Sequence, residues 1–234
     1  MRDRIVLDVQ GVSKHFGGLR AVDKVDFQVR EHEVMGIIGP NGSGKTTMMN
    51  LISGALKPTF GDITLDDTLS SGLPARAIAR AGVGRTFQLV RVLPSLSVVE
   101  NVMAGAVFGH KRLWGAAARR HAERQLERVG LAHAIKLPVS ALTYIDEKRV
   151  ELARALAGDP RVLLLDEWLA GLNPTELQTG IALIRSLRDD GRTVILVEHV
   201  MDAIRSLCDR CIVMSSGVKI AEGTPEQALS DPEV

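Results

Sequence analysis

Two hydrophobic periodicities divide the chain. From Ile5, apolar residues fall at alternate positions, Ile5, Leu7 and Val9, and the alternation returns at Val25, Phe27 and Val29 after the Gly17-Gly18 turn. A period of two puts one set of side chains on one face of a strand, so these stretches predict two antiparallel strands with one buried face. Ile63-Thr64-Leu65, following Gly61, predicts another short strand. Between them, Val34-Met35-Gly36-Ile37-Ile38 is a short apolar strand that runs into a glycine-rich turn, with a helix expected from Lys45.

From about Pro74 the pattern changes to helical. Ala and Arg become frequent, Ser97-Val98-Val99-Glu100 has capping-box form, and Arg119 to Val129 reads as a charged helix stopped by Gly130. Thr143-x-x-Asp146 opens another helix, with Val150, Leu152, Ala153 and Leu156 at helical spacing.

The last third returns to apolar runs. Val162 to Leu165 reads as a fully buried strand ending in Asp166-Glu167, and Val194 to Val197 as another ending in Glu198-His199. Asn173-Pro174-Thr175-Glu176 predicts a helix toward Arg188, with an N-cap, a proline at the first helical position and an acid at N3. Ile212 to Met214 and Val218 to Ile220 flank Ser215-Ser216-Gly217 as a hairpin, and Thr224-Pro225-Glu226-Gln227 caps a last short helix. Buried strands alternating with helices predict an α/β fold with a central, mostly parallel sheet. To it are added an antiparallel β subdomain and an inserted α-helical subdomain. One domain spans 1–234, with a core of 1–90 and 158–234 and a helical part of 91–157.

Composition narrows the function. A formal charge of +1 over 234 residues gives no global reason to expect nucleic acid as a partner. With aromatics at 3%, the core must rest on Leu, Val, Ile and Ala. No apolar run approaches the roughly 20 residues that cross a bilayer, and the N-terminus lacks a signal-peptide core, so a soluble, cytoplasmic chain is expected. Cys208-Asp209-Arg210-Cys211 lacks the second ligand pair of a structural zinc site and reads as two buried or semi-buried thiols.

The glycine-rich turn carries the strongest chemistry. Gly39-Pro40-Asn41-Gly42-Ser43-Gly44-Lys45-Thr46-Thr47 matches G-x-x-x-x-G-K-[ST], the P-loop of nucleotide-hydrolysing enzymes. Its backbone N–H groups curl around phosphates, the lysine reaches the outer phosphates, and the Thr46 hydroxyl binds Mg²⁺. The alternative is a glycine turn with an incidental lysine. Asp166 and Glu167 end a buried strand, where ligands sit in open parallel sheets, so Asp166 is expected in the Mg²⁺ shell and Glu167 to orient or deprotonate a water. His199 ends the next strand and approaches the same sheet edge. A strand-end histidine alone is more often incidental; beside the other two motifs it becomes a γ-phosphate contact. Gln88, in Arg85-Thr86-Phe87-Gln88, means little by itself.

Taken together, the order Phe16, P-loop, Gln88, Thr143 to Leu156, Asp166-Glu167, Asn173 and His199 resembles ATP-binding cassette nucleotide-binding subunits over nearly the whole chain. The resemblance implies ATP and Mg²⁺ as ligands. It makes Phe16 a stacking surface for adenine, where a β-layer core residue is the other reading, Gln88 a link between Mg²⁺, water and a transmembrane partner, and His199 the switch histidine. It implies two subunits that sandwich two ATP molecules and drive two transmembrane permease subunits from the cytoplasmic face of the cell membrane, served by an extracytoplasmic binding protein. Thr143, Asp146 and Asn173 fall at positions that face nucleotide. Gly84 to Gln88, Ala170 to Pro174, Glu222 to Pro225 and Asp231 to Val234 look like the branched-chain amino acid uptake subgroup, whose members usually continue a little further. An exporter or lipid-extracting complex is the rival within transport. A soluble switch acting on nucleic acid or the ribosome is the rival outside it.

Two departures stand out. The family's Leu-Ser-Gly-Gly-Gln signature falls on Leu142-Thr143-Tyr144-Ile145-Asp146. Either Asp146 turns negative charge toward the nucleotide or it folds back on Thr143 as a capping-box acid. The irregular signature favours a heterodimer with a second ATPase subunit. Trp168 stands where the family has proline, either as an interface residue or as ordinary packing. Leu89 to Pro94 is either a docking surface for a transmembrane partner or part of the core.

Overall fold

The computed structural model describes residues 4–232 and 234. Glu233, within the Asp231 to Val234 segment singled out above, lies outside the described residues, as do residues 1–3. In chain order the elements are β1 (Ile5–Phe16), β2 (Leu19–Arg30), β3 (Val34–Ile38), α1 (Lys45–Ile52), β4 (Phe60–Leu65), β5 (Thr68–Leu69), α2 (Ala75–Ala81) and β6 (Val83–Arg85). They continue with α3 (Val98–Phe108), α4 (Gly115–Arg128), α5 (Tyr144–Ala157), β7 (Val162–Asp166), α6 (Pro174–Asp189), β8 (Thr193–Val197), α7 (Met201–Leu207), β9 (Arg210–Ser215), β10 (Val218–Gly223) and α8 (Pro225–Leu229). The fold is the mixed α/β class expected.

The chain forms two compact units, one of Met1–Ile78 with Leu164–Val234 and one of Ala79–Leu163. The boundaries read from the sequence, 91 and 157, both fall inside the second.

In the first unit, β2-β1-β4-β5 is an antiparallel sheet with Leu7 opposite Leu65 and Val9 opposite Ile63. Register shifts after Val9 let β1 run on to Phe16, further than the alternating pattern reached. These are bulges, which break the period of two without ending the strand. The second sheet of this unit runs β10-β9-β3-β8-β7. Strand β3 pairs in parallel with both β8, Val34 opposite Val194, and β9, Met35 opposite Arg210. Every residue of β3, β7 and β8 is buried, which is why these strands read as apolar runs.

The second unit is helical. Helix α3 starts at the Ser97/Glu100 capping box. Helix α4 begins at Gly115, a turn before the expected Arg119, and ends ahead of Gly130, which takes a left-handed φ of 80°. Helices α3 and α5 approach closely at Gly105, where an added Cβ would lie 1.9 Å from the Arg154 carbonyl oxygen. Beside the start of β7, Arg161 and Val162 donate their N–H groups to the Gly82 carbonyl.

Candidate nucleotide and hydrolysis site

The P-loop leaves the buried strand β3 and enters α1 at Lys45, as its pattern predicts. Its glycines are there for approach as well as for freedom. Gly39 and Gly44 have φ of 146° and 104°, and an added Cβ would lie 2.1 Å from the Met214 carbonyl and 2.5 Å from that of Ala21. The loop therefore sits tight against β9 and β2, at a helix N-terminus with no acid in its first turn. Lys45 Nζ donates to the carbonyls of Gly39 at 2.7 Å and Pro40 at 2.9 Å, holding the ammonium over the loop. Burial lowers its pKa, and the nearby carboxylates of Glu167 and Asp166 pull it back up. The buried Ser43 hydroxyl has no hydrogen-bond partner among the described residues. An orphaned buried hydroxyl, a cationic amine and the exposed loop residues Asn41 and Gly42 at a helix N-terminus fit a polyphosphate. The exposed Thr46 hydroxyl and the Asp166 carboxylate are hard oxygen ligands of the type Mg²⁺ prefers.

Asp166, 1% exposed, ends β7. Glu167 follows with a left-handed φ of 51°, a conformation that costs a non-glycine residue energy and persists where surrounding contacts hold it. Its N–H donates to the Val197 carbonyl at 2.8 Å, clipping it to β8. His199, just past the end of β8, lies with Nε2 2.8 Å from Glu167 Oε1. A carboxylate only accepts, so Nε2 carries the hydrogen. One residue earlier, buried Glu198 accepts the Leu169 N–H at 2.6 Å, a third tie between the segments that follow β7 and β8. The P-loop, Asp166, Glu167 and His199 thus belong to one compact unit.

Other residues singled out from the sequence fall as follows. Phe16 closes β1 opposite Leu19, is 46% exposed, and has Lys14 Nζ 5.2 Å from its ring centroid. The core reading of Phe16 is therefore set aside. Asn173 accepts the Glu176 N–H at 2.9 Å, and Glu176 returns the bond to the Asn173 N–H, so the side chain caps α6. Trp168 is 2% exposed and turned onto α6, where a Cβ at Gly180 would meet its ring at 3.2 Å. The tryptophan is packing within the chain, and the glycine is its seat. Cys208 and Cys211 are free and buried, and burial pushes the Cys211 thiol up to about 11 and Cys208 higher still, so both stay protonated and unreactive.

In the second unit, Thr143 Oγ1 donates to Asp146 Oδ2 at 2.8 Å and accepts the Asp146 N–H at 3.3 Å, while Arg149 pairs with the other carboxylate oxygen at 3.3 Å. Asp146 is folded back as a capping acid. Gln88 is exposed in the irregular segment after β6, and Leu89, 78% exposed, with Arg91, Leu93 and Pro94, also exposed, lies outside the core. Among the described residues, buried Glu33 and Glu151 were not singled out, and buried Glu198 was named without a role. Glu151 interrupts the apolar stripe Val150, Leu152, Ala153, and a carboxylate inside such a stripe is the signal that marks it.

Comparison with known proteins agrees with this assembly. The ABC transporter family matches residues 22–170. The chain is 40% identical to the high-affinity branched-chain amino acid transport ATP-binding protein LivG of Salmonella typhimurium, over 98% of this chain and 95% of LivG. It is 40% identical to BraF of Pseudomonas aeruginosa, which bears the same description, over 99% of this chain and 96% of BraF. The solved ADP conformation of an ATP-binding cassette of an ABC transporter superposes with a TM-score of 0.89 at 29% identity, covering 99% of this chain and 97% of that one. Likeness of this extent, in sequence and in fold, leads to one conclusion: the chain belongs to the ABC transporter family, as one of its ATP-binding cassettes.

Proposed function

We propose that this chain hydrolyses ATP to power a membrane importer of branched-chain or related amino acids. The observation that carries the chemistry is the contact of His199 with Glu167 at the ends of neighbouring strands, in the unit that holds the P-loop. The LivG and BraF likeness supports the substrate class. In this reading the Gly39 to Thr47 loop and the Lys45 ammonium hold the phosphates, and the Phe16 ring stacks on adenine. Thr46 and Asp166 would hold Mg²⁺, which would neutralise charge on the outer phosphates. Glu167 orients the attacking water and accepts its proton, while the His199 Nε2–H fixes the carboxylate and contacts the γ-phosphate. ATP binding favours a closed pair of cassettes, and hydrolysis with product release reopens it. Leu89 to Pro94 docks a transmembrane partner, which places the chain on the cytoplasmic face of the membrane. An extracytoplasmic binding protein delivers the amino acid to two permease subunits. Reconstitution with these partners tests the reading: ATP-dependent uptake of labelled leucine, isoleucine or valine is expected, and ATP turnover without uptake of any of them overturns the substrate class.

The cassette's partner is a second, different ATPase subunit. The Thr143 hydroxyl is engaged by Asp146, whose charge is offset by Arg149. A signature bonded to itself contributes weakly to a phosphate held opposite, so this chain's own phosphate loop relies on a partner with a better one. Asn173, as an α6 cap, shapes the loop that faces that partner. Brisk, equal turnover by the isolated chain and by the complete transporter argues for a symmetric homodimer instead.

A further inference from the structure

Glu151 lies on α5, 1% exposed, and no chemistry assigned above uses it. Its two carboxylate oxygens face a segment about sixty residues earlier. Oε2 accepts the Phe87 N–H at 3.2 Å and Oε1 accepts the Arg91 N–H at 3.0 Å, while Arg154, a turn further along α5, reaches Oε1 at 3.4 Å. The residues between the two amides, Gln88, Leu89 and Val90, arch away, with Gln88 and Leu89 exposed. Side chains also join the base of the same arch, since the Arg85 and Arg91 guanidinium groups both lie over the Phe87 ring, 4.8 Å and 4.2 Å from its centroid. Two residues past Arg91, buried Asn101 of α3 accepts the Leu93 N–H at 2.7 Å and donates to the Leu93 carbonyl at 3.0 Å.

A carboxylate is costly to bury, and burial indeed raises the Glu151 pKa. Two backbone donors and a guanidinium offset that cost only while the loop keeps this shape. The loop and the helix therefore hold each other, and a neutral apolar residue in place of Glu151 gives α5 no such grip. Thr143, at the N-terminus of the same helix, stands eight residues away, about 12 Å along the axis.

We propose that Glu151 is a positioning residue: through the Phe87 and Arg91 amides it fixes the arch that presents Gln88, and it makes that arch move as one body with α5 and the signature segment at its start. The clamp is read from the second unit alone; its consequence for turnover rests on the transport reading above. A push on the arch from a docked partner then reaches Thr143 without rearrangement between them.

The test uses the full chain and the Glu151→Gln variant, which keeps volume but replaces one acceptor with an NH₂ group that cannot accept. Amide hydrogen exchange is expected to be slow at Phe87 and Arg91 in the wild type and about tenfold or more faster in the variant, with the P-loop amides unchanged. In the reconstituted transporter the variant is expected to keep its KM for ATP within about twofold and to lose about tenfold in kcat. Fast exchange at both amides in the wild type overturns the clamp, and this measurement stands even if the variant fails to fold. Unchanged exchange in a folded variant also overturns it. Faster exchange with unaltered kcat overturns the positioning role. Because the exchange measurement needs no membrane partner, it decides the clamp separately from the transport reading.

Discussion

His199 Nε2 sits 2.8 Å from Glu167 Oε1, although 32 residues separate them in sequence. The contact exists because β7 and β8 are neighbours in the sheet and each carries its polar residue at the same edge. A backbone bond from Glu167 N–H to the Val197 carbonyl fixes the relation further, at a residue whose own backbone is left-handed. In the proposed mechanism this pair and its backbone tie would set where the water and the terminal phosphate meet.

Glu167→Gln keeps the shape of the side chain and removes the carboxylate proposed as the base. Turnover is expected to fall by about 10²- to 10⁴-fold, with ATP binding retained and a closed pair of cassettes accumulating. Steady-state ATPase assays with size-exclusion chromatography in ATP report both. Normal hydrolysis by the variant removes Glu167 from the catalytic role.

His199→Ala takes away the donor that holds the carboxylate. The single variant is expected to lower kcat far more than it raises KM for ATP. Because the two side chains act as a unit, the double variant with Glu167→Gln is expected to be no slower than Glu167→Gln alone. Full additivity of the two losses contradicts the pairing.

Trp168 is expected to matter for stability. Its ring fills space against α6 at Gly180, so Trp168→Ala leaves a cavity and is expected to cost about 3–5 kcal/mol. Urea denaturation gives the value. A change below about 1 kcal/mol would mean that the site collapses around the missing ring.

Burial pushes the Glu151 carboxyl above its ordinary range, against the pull of the Phe87 and Arg91 amides and the Arg154 guanidinium. A group whose folded pKa is raised adds stability that is fully present below its unfolded pKa and is lost as pH rises through the folded value. The unfolding free energy of the wild type, relative to Glu151→Gln, is therefore expected to fall as pH rises from the ordinary carboxylate range and to level off above the raised pKa. Urea titrations of both proteins across that window check the sign. A difference that grows with pH contradicts it.

Much of this was legible in the chain because it is local. The capping boxes at Ser97, Asn173 and Thr224 each need only four consecutive residues, and all three form. Strand β1 was read too short because a bulge breaks the alternation that reveals it. The short elements β5, β6 and α7 carry too few residues for a period to register.

By itself, the sequence determined the phosphate loop, the acids and the histidine at strand ends, and the α/β class, since each follows from spacing along one segment and from apolar runs that can only be buried. The tertiary structure decided which of those strand ends meet, and so joined His199 to Glu167. It also turned Asp146 back onto Thr143 and Arg149, seated Trp168 on Gly180, and gave Glu151 its two distant amides. The physical reason is the same in each case. A hydrogen bond or a packed ring depends on where two side chains point once their elements have docked, and either side-chain direction satisfies the same local pattern.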